Sequence, residues 1–163
     1  MSSPAPYLLP IAIIAAVGSG LVAGLLFAFS TAVMKALSLL PPAQGMRAMQ
    51  HVNVVILNPV FLTVFMGTAL VSAVLAVAAA LAWSRAGSAW LLLGALAYLI
   101  GTFGVPMAVN VPVNYRLAAT DPASPDASRI WALYLTRWLR WNHLRTMLGT
   151  VAAAAHAIGA SAL

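Results

Sequence analysis

The chain has 163 residues, of which 63% are hydrophobic and only 6% are charged. A soluble domain is typically about 25% charged, so this composition excludes an ordinary water-soluble fold and predicts an integral membrane protein. The eight basic residues outnumber two aspartates, but most of them flank apolar segments, and nucleic-acid binding needs a solvated basic face. With no cysteine, disulfides and thiolate metal sites are excluded too.

The first apolar stretch covers roughly residues 8–34. It is longer than the apolar core of a signal peptide and no basic residue precedes it, so we expect it to be retained as a membrane span. Gly18, Gly20 and Gly24 predict close helix contact, since the last two have the small-xxx-small spacing that lets helices approach each other in lipid.

Two further spans follow a polar connector that contains an amphipathic piece at residues 44–50. The second span is predicted at 54–83, with Pro59 starting the helix late or kinking it. The third is predicted at 89–109. The turn between them is so short that these two helices must be antiparallel.

The last helix follows a proline-rich connector, residues 110–128, that holds both aspartates, Asp121 and Asp126. Its helical pattern is unbroken from about 127 to the end of the chain, with the fourth span at 128–162. Because a bilayer core takes about 20 helical residues to cross, this helix extends beyond the hydrocarbon. The sequence predicts an all-α fold: one integral membrane four-helix bundle with a long, partly extramembrane fourth helix.

The distribution of positive charge predicts an orientation. Seven of the eight Lys and Arg residues lie on the side of the two long connectors, and only Arg85 lies on the other. The positive-inside rule then places the long connectors in the cytoplasm and both termini outside. The expected location is a bacterial inner membrane.

Polar residues at membrane depth are costly, and this chain concentrates them at one end of its spans. The ends facing the long connectors carry Asn53, Asn58, Asn110, Asn114, Arg116, Asn142 and Arg145. We therefore expect short distances among them. In the alternative interpretation the asparagines cap helix ends and the arginines extend to lipid head groups.

The fourth helix carries an aromatic stripe. At 100° per residue, six side chains share an arc of roughly 100°: Trp131, Tyr134, Trp138, Trp141, Asn142 and Arg145. Interfacial belt residues are the alternative explanation, but a belt surrounds a bundle and does not select one helix face. An aromatic-walled cavity with amides and guanidiniums suits a flat, oxygen-bearing aromatic ligand such as a quinone or polyketide.

The three histidines occupy different positions. His51, next to Asn53, could reach the connector end, whereas His143 lies about 100° around the helix from Asn142. His156 lies on the stripe but roughly 16 Å beyond Arg145, where a structural role is at least as good an explanation. No metal site is expected, because the spans lack the acidic ligands of a di-iron centre. Haem is a minor alternative, but His143 and His156 face different directions and could not share an iron.

Four segments carry a resemblance to a known family. They are GLLFAFSTAVMKAL (24–37), MQHVNVVILNPVFL (49–62), NVPVNYRLA (110–118) and WALYLTRWLRWNHLRT (131–146). Together they resemble the anthrone oxygenases, small four-span membrane proteins named for members that oxidise polyketide anthrones to anthraquinones. The most specific elements are N-x-P-x-N and W-N-x-x-R.

The resemblance implies a set of site residues. The family's polar motif positions correspond to Asn53, Asn58, Asn110, Asn114, Asn142 and Arg145. Arg116 follows the N-x-P-x-N element, and His51 and His143 match the family less closely. Arg145 with Asn142 would hold an oxyanion and His51 or His143 would act as the base. The other asparagines and Arg116, with Tyr134, Trp138 and Trp141 of the stripe, would bind the substrate.

The implied reaction is a cofactor-independent oxidation of a small aromatic molecule by O2. The competing hypothesis from a different class is a non-catalytic membrane protein, either a structural subunit or a module that binds quinone or lipid. The lipid bilayer is a partner in both cases, nucleic acid is not, and the sequence leaves a homo-oligomer open.

Overall fold

The structure, a computed structural model, describes residues 7–163, and these form five helices and no strand. The helices are α1 (Leu8–Ser38), α2 (Pro42–Val55), α3 (Pro59–Leu81), α4 (Ser88–Ala118) and α5 (Ala127–Ser161). Of these, α1, α3 and α4 are long and apolar enough to cross a membrane. The predicted all-α membrane bundle is confirmed.

The outward faces of the bundle are apolar. Large hydrophobic side chains are exposed along α1 and α3, among them Ile13, Leu21, Leu70 and Val77. Apolar surface on this scale is unfavourable in water and is what a helix facing lipid requires. The protein is therefore a membrane protein.

The fourth helix of the bundle is α5. It has 35 residues, which is roughly 52 Å of helix, longer than the hydrocarbon core of about 30 Å. It packs along most of α1 and α4. Its mean hydropathy is lower than that of α1, α3 and α4 because it carries four arginines and two histidines. Of these, Arg145 and His156 are buried inside the bundle. That α5 crosses the membrane as a fourth span stays a prediction.

The two largest differences from the predicted helix boundaries are at the start of α3 and the end of α4. The second span begins at Pro59 instead of residue 54, because proline has no N–H to continue the hydrogen bonds of α2. The Asn58 side chain caps the new helix by accepting a hydrogen bond from the Phe61 N–H at 3.0 Å. In addition, α4 continues to Ala118, well past the predicted end at 109. Wider π turns at Ala97–Gly104 and Pro106–Asn110 carry this helix through Pro106.

The core has three layers along the bundle. The layer at the connector end contains methionines and aromatic rings, including Met46 and Met49 of α2 against Trp131 and Trp138 of α5. The middle layer includes Leu26, Phe65 and Tyr98, and the layer at the far end includes Leu8, Leu75 and Leu91. Thus the amphipathic α2 closes one end of the bundle.

Close helix contact in α1 involves Gly18 alone of the three predicted glycines. A Cβ at Gly18 would overlap the Thr68 hydroxyl of α3, whereas no described atom lies within 4 Å of a Cβ added at Gly20 or Gly24. The prediction for Gly20 and Gly24 was wrong within this chain, because both residues lie on the outward face of α1. The predicted tight turn between α3 and α4 is present, with Gly87 at φ +85°, where only glycine is unstrained.

Candidate functional site

A cavity lies inside the connector end of the bundle, between α1, the α2–α3 junction, α4 and α5. Its volume is about 130 Å³, similar to the roughly 150 Å³ of an apolar protein cavity that binds benzene. The polar side chains in its wall are Asn53, Asn110, Asn114 and Arg145, and the aromatic ones are Phe29, Phe61, Phe65 and Trp138. The cavity can therefore hold one aromatic ring next to amide and guanidinium groups.

The cavity is open toward the outside of the bundle. Leu57 and Met107 both line it, yet these side chains are 61% and 51% exposed. Both belong to the apolar outer surface. A molecule larger than one ring would therefore extend past these two residues toward lipid.

Arg145 is the charged group of the cavity. Its side chain is only 7% exposed, and its Nε has no hydrogen-bond partner among the described residues. Asp126 pairs instead with the exposed Arg129 at 3.0 Å. Asp121 accepts a hydrogen bond from the Ala123 N–H at 2.9 Å. A buried cation without a counter-charge is strongly unfavourable, and an anionic group in the cavity would offset this cost.

Asn110 and Trp138 add polar atoms where α4 meets α5. The Asn110 amide donates a hydrogen bond to the Trp138 carbonyl at 3.3 Å. Its Oδ1 and the indole Nε1 of Trp138 have no partner in the described part of the chain. Buried polar atoms are normally hydrogen-bonded, so these two are available to a ligand that both donates and accepts.

Tyr134 holds two cavity asparagines in place. Its hydroxyl donates to Asn114 Oδ1 of α4 at 2.9 Å and accepts from Asn53 Nδ2 of α2 at 3.5 Å. Its ring is stacked between Trp131 and Trp138, at centroid distances of 5.7 and 6.1 Å. The aromatic stripe of α5 therefore fixes the positions of α2 and α4 around the cavity.

Irregular helical turns shape two walls of the cavity. One π turn, Phe29–Val33, begins with the cavity residue Phe29, and another, Pro106–Asn110, both begins and ends with cavity residues. Such turns occur often at functional sites because the extra residue redirects the side chains around it. Here Asn110 ends the second turn and is only 2% exposed.

Asn142 is buried but does not line the cavity. Its Nδ2 donates to the Leu26 carbonyl at 2.8 Å and to the Ser30 hydroxyl at 2.9 Å, which ties α5 to α1. The predicted pair of Asn142 and Arg145 thus has its two members in different environments. Arg145 faces the cavity, and the Asn142 amide lies in the α1–α5 contact one turn away.

Three more predicted binding residues lie outside the cavity. Asn58 is exposed and caps α3, as in the alternative interpretation of the asparagines. Arg116 is exposed and lines a separate groove with Arg137. Trp141 is only partly buried and does not contribute to the cavity wall.

The histidines are also distant from the cavity wall. His51 is exposed in a shallow groove beside Arg47, and His143 is exposed on the outward face of α5. His156 is fully buried at the other half of the bundle, with Nδ1 3.4 Å from the Ser19 hydroxyl. Within residues 7–163, no three His, Cys, Asp or Glu side chains cluster as metal ligands would.

The sequence did not indicate the apolar half of the cavity. Phe61, Phe65, Pro106 and Met107 line it, but in a membrane span apolar residues face both the interior and the lipid. Hydropathy therefore cannot separate wall residues from lipid-facing ones. The available signal was Pro106, since a proline inside a span marks a disturbed turn.

These features define a helical membrane protein with an aromatic-walled, cationic cavity between its helices. Residues 61–155 match the sequence profile of the anthrone oxygenase family. This match covers more than half of the chain, and the chain belongs to that family. No curated protein and no solved structure matches it.

Proposed function

We propose that the protein is a membrane-embedded, cofactor-independent oxygenase that acts on an anthrone-like or other flat aromatic substrate, which it binds as an anion. The observation that carries this proposal is the buried guanidinium of Arg145, which faces an aromatic-walled cavity without a carboxylate partner among residues 7–163. Membership of the anthrone oxygenase family supports the same reaction class.

The proposed chemistry requires only the substrate and O2. The C–H between the two rings of an anthrone is acidified by the conjugated carbonyl, so loss of this proton gives an electron-rich enolate. That carbon transfers electrons to O2 and forms a C–O bond, which gives a hydroperoxide after protonation. The O–O bond then breaks, one oxygen remains as the new ketone, and the other leaves as water with the second hydrogen of that carbon.

Arg145 would stabilise the enolate oxygen. Removing one such donor from a preorganised site typically costs about 2.7–4 kcal/mol in the transition state. Asn110 Oδ1 and Trp138 Nε1, which lack partners in the described chain, would orient a second oxygen substituent. Asn53 and Asn114, connected through Tyr134, would form the wall opposite α5.

The proton of the substrate needs an acceptor. The sequence-based candidates, His51 and His143, are both exposed and neither lines the cavity. We propose instead that a water molecule at the connector end of the cavity accepts the proton and that Arg145 favours the anion over the neutral form. In this mechanism His51 and His143, both exposed, are needed only if they carry that proton on to bulk water.

The size of the cavity limits the binding mode. About 130 Å³ is enough for one ring but not for three, since sites for drug-sized ligands have about 300–1,000 Å³. An anthrone carries its carbonyl on the central ring, so that edge would face Arg145 and an outer ring would extend past Leu57 and Met107 toward lipid. A substrate dissolved in the bilayer could use the same side.

We propose a bacterial inner membrane as the location, with both termini outside and the long connectors in the cytoplasm. The basis is the charge distribution, with Arg85 alone on the far side. A protease-protection or cysteine-labelling assay at the α3–α4 turn and in the connector at 119–126 would determine this orientation.

The function is tested with the full chain in detergent, anthrone and O2. An oxygen electrode and the absorbance of anthraquinone give the rate and the stoichiometry, with one quinone expected per O2 consumed. We expect Arg145→Gln to lower the protein-dependent rate by about 10²–10³-fold. Arg140→Gln removes an exposed charge from the same helix and should leave the rate unchanged.

The alternative function is non-catalytic binding of a quinone or lipid in this cavity. It is favoured by one observation, that no imidazole or carboxylate of the described residues lies in the cavity wall. A protein that binds a hydroxyanthraquinone through Arg145 but does not accelerate oxygen uptake would support this alternative. Equal protein-dependent rates for the wild type and Arg145→Gln would reject the role of Arg145 in the oxygenase mechanism.

A further inference from the structure

A second recess lies on the outside of the connector end, between the last turns of α4 and the first turns of α5. It has a volume of about 310 Å³, and its wall combines apolar side chains with two guanidiniums, those of Arg116 and Arg137. We name it the α4–α5 groove. Tyr134 lines it and separates it from the interior cavity, because its hydroxyl bonds the cavity residue Asn114.

The α4–α5 groove is positively charged. Arg116 and Arg137 are both exposed, and neither forms an ion pair with a described carboxylate. Asp126, the acidic residue that starts α5, is engaged by Arg129 at 3.0 Å. Between the two arginines the wall is formed by apolar residues such as Val113, Ile130 and Leu133. An anionic group with an attached apolar chain complements this surface.

The position of the groove along α4 places it near the lipid head groups. The helix Ser88–Ala118 has 31 residues, or roughly 46 Å, which exceeds a hydrocarbon core of about 30 Å. Arg116 lies in its last turn. The guanidiniums are therefore at the level of phosphates, and the apolar wall is close to acyl chains.

We propose that the α4–α5 groove binds an anionic phospholipid, with the phosphate between Arg116 and Arg137 and an acyl chain against the apolar wall. Guanidinium groups bind phosphate through paired, charge-assisted hydrogen bonds, and basic pockets between membrane helices commonly hold anionic head groups. This site is separate from the Arg145 cavity and does not depend on the oxygenase proposal. It gives Arg116 a role outside substrate binding.

The test uses the full chain in a neutral detergent, titrated with phosphatidylglycerol or with phosphatidylcholine of identical acyl chains. Lipid binding is followed by the rise in the thermal unfolding midpoint and by native mass spectrometry. We expect binding of phosphatidylglycerol and a clear preference over phosphatidylcholine. The double variant Arg116→Gln/Arg137→Gln should bind phosphatidylglycerol about 30-fold more weakly, since each surface arginine contributes about fivefold.

The matched control is Arg140→Gln, which removes an exposed charge from the same helix outside the groove. It should keep the affinity of the wild type within about twofold, because surface charges away from the site have little effect. Unfolding midpoints in phosphatidylcholine show whether each variant is folded. The proposal would be overturned if Arg140→Gln and the double variant lost the same affinity for phosphatidylglycerol, or if the two lipids bound equally well. Displacement of the bound lipid by millimolar inorganic phosphate would also overturn it.

Discussion

Replacing Arg145 with methionine should change stability and ligand binding in opposite directions. The side chain is 7% exposed and has no carboxylate partner in the described chain, so the native protein carries the desolvation penalty of a cation. Methionine has a similar length and no charge. Removing part of that desolvation penalty should stabilise the fold by about 1–2 kcal/mol, which raises the unfolding midpoint by roughly 3–6 °C for a chain of this size.

The same change should remove anion binding. A hydrogen bond to a charged group contributes about 1.5–3 kcal/mol, so an anionic hydroxyanthraquinone should bind Arg145→Met about 10- to 150-fold more weakly. Neutral anthraquinone lacks the anionic oxygen and should lose little affinity. Thermal unfolding and dye absorbance titrations, both in detergent, measure these two effects on one preparation.

The control for this prediction is Arg140→Met, on the exposed face of the same helix. It should change stability by no more than about 0.5 kcal/mol and leave dye binding intact. If Arg145→Met lowers the unfolding midpoint, the guanidinium is a structural element whose contacts support the bundle. In that case its burial does not indicate a ligand.

Three other substitutions test the packing around the cavity. Gly18→Ala forces a methyl group against Thr68 and should destabilise the fold by about 1–3 kcal/mol. Its control, Gly20→Ala, places the methyl group in open space and should be nearly neutral. Equal melting points for the two variants would contradict the α1–α3 contact. Asn142→Leu removes two hydrogen bonds to α1 and should lower stability by about 2–3 kcal/mol, opposite in sign to Arg145→Met. Tyr134→Phe should cost about 1–2 kcal/mol and weaken dye binding, and an unchanged titration curve would remove its positioning role.

The fold was largely predictable because membrane spans have strong local signals. The length and hydropathy of α1, α3 and α4 identified them directly, and the unbroken helical pattern from residue 127 gave α5. The largest errors in the helix boundaries arose at prolines. Pro59 starts a helix where the apolar run already continues, and Pro106 is absorbed by a π turn, so α4 extends to Ala118.

The candidate site was predictable in part. Helical periodicity placed Trp131, Tyr134, Trp138 and Arg145 on one face, and all four are buried there. The roles of individual asparagines were not predictable, because an asparagine at a helix end can cap the helix or face a cavity. Asn58 caps α3 while Asn53 and Asn110 line the cavity, and only the packing of the helices separates these cases.

The measurement that tests the central claim most directly is the absorbance spectrum of anthrone bound to the protein in the absence of O2. The anion absorbs at longer wavelength than the neutral molecule. Near neutral pH, where free anthrone is mainly neutral, the wild type should give the anion spectrum and Arg145→Gln should not. A bound, neutral spectrum in the wild type, or an anion band that persists in Arg145→Gln, would contradict the claim that this guanidinium selects the substrate anion.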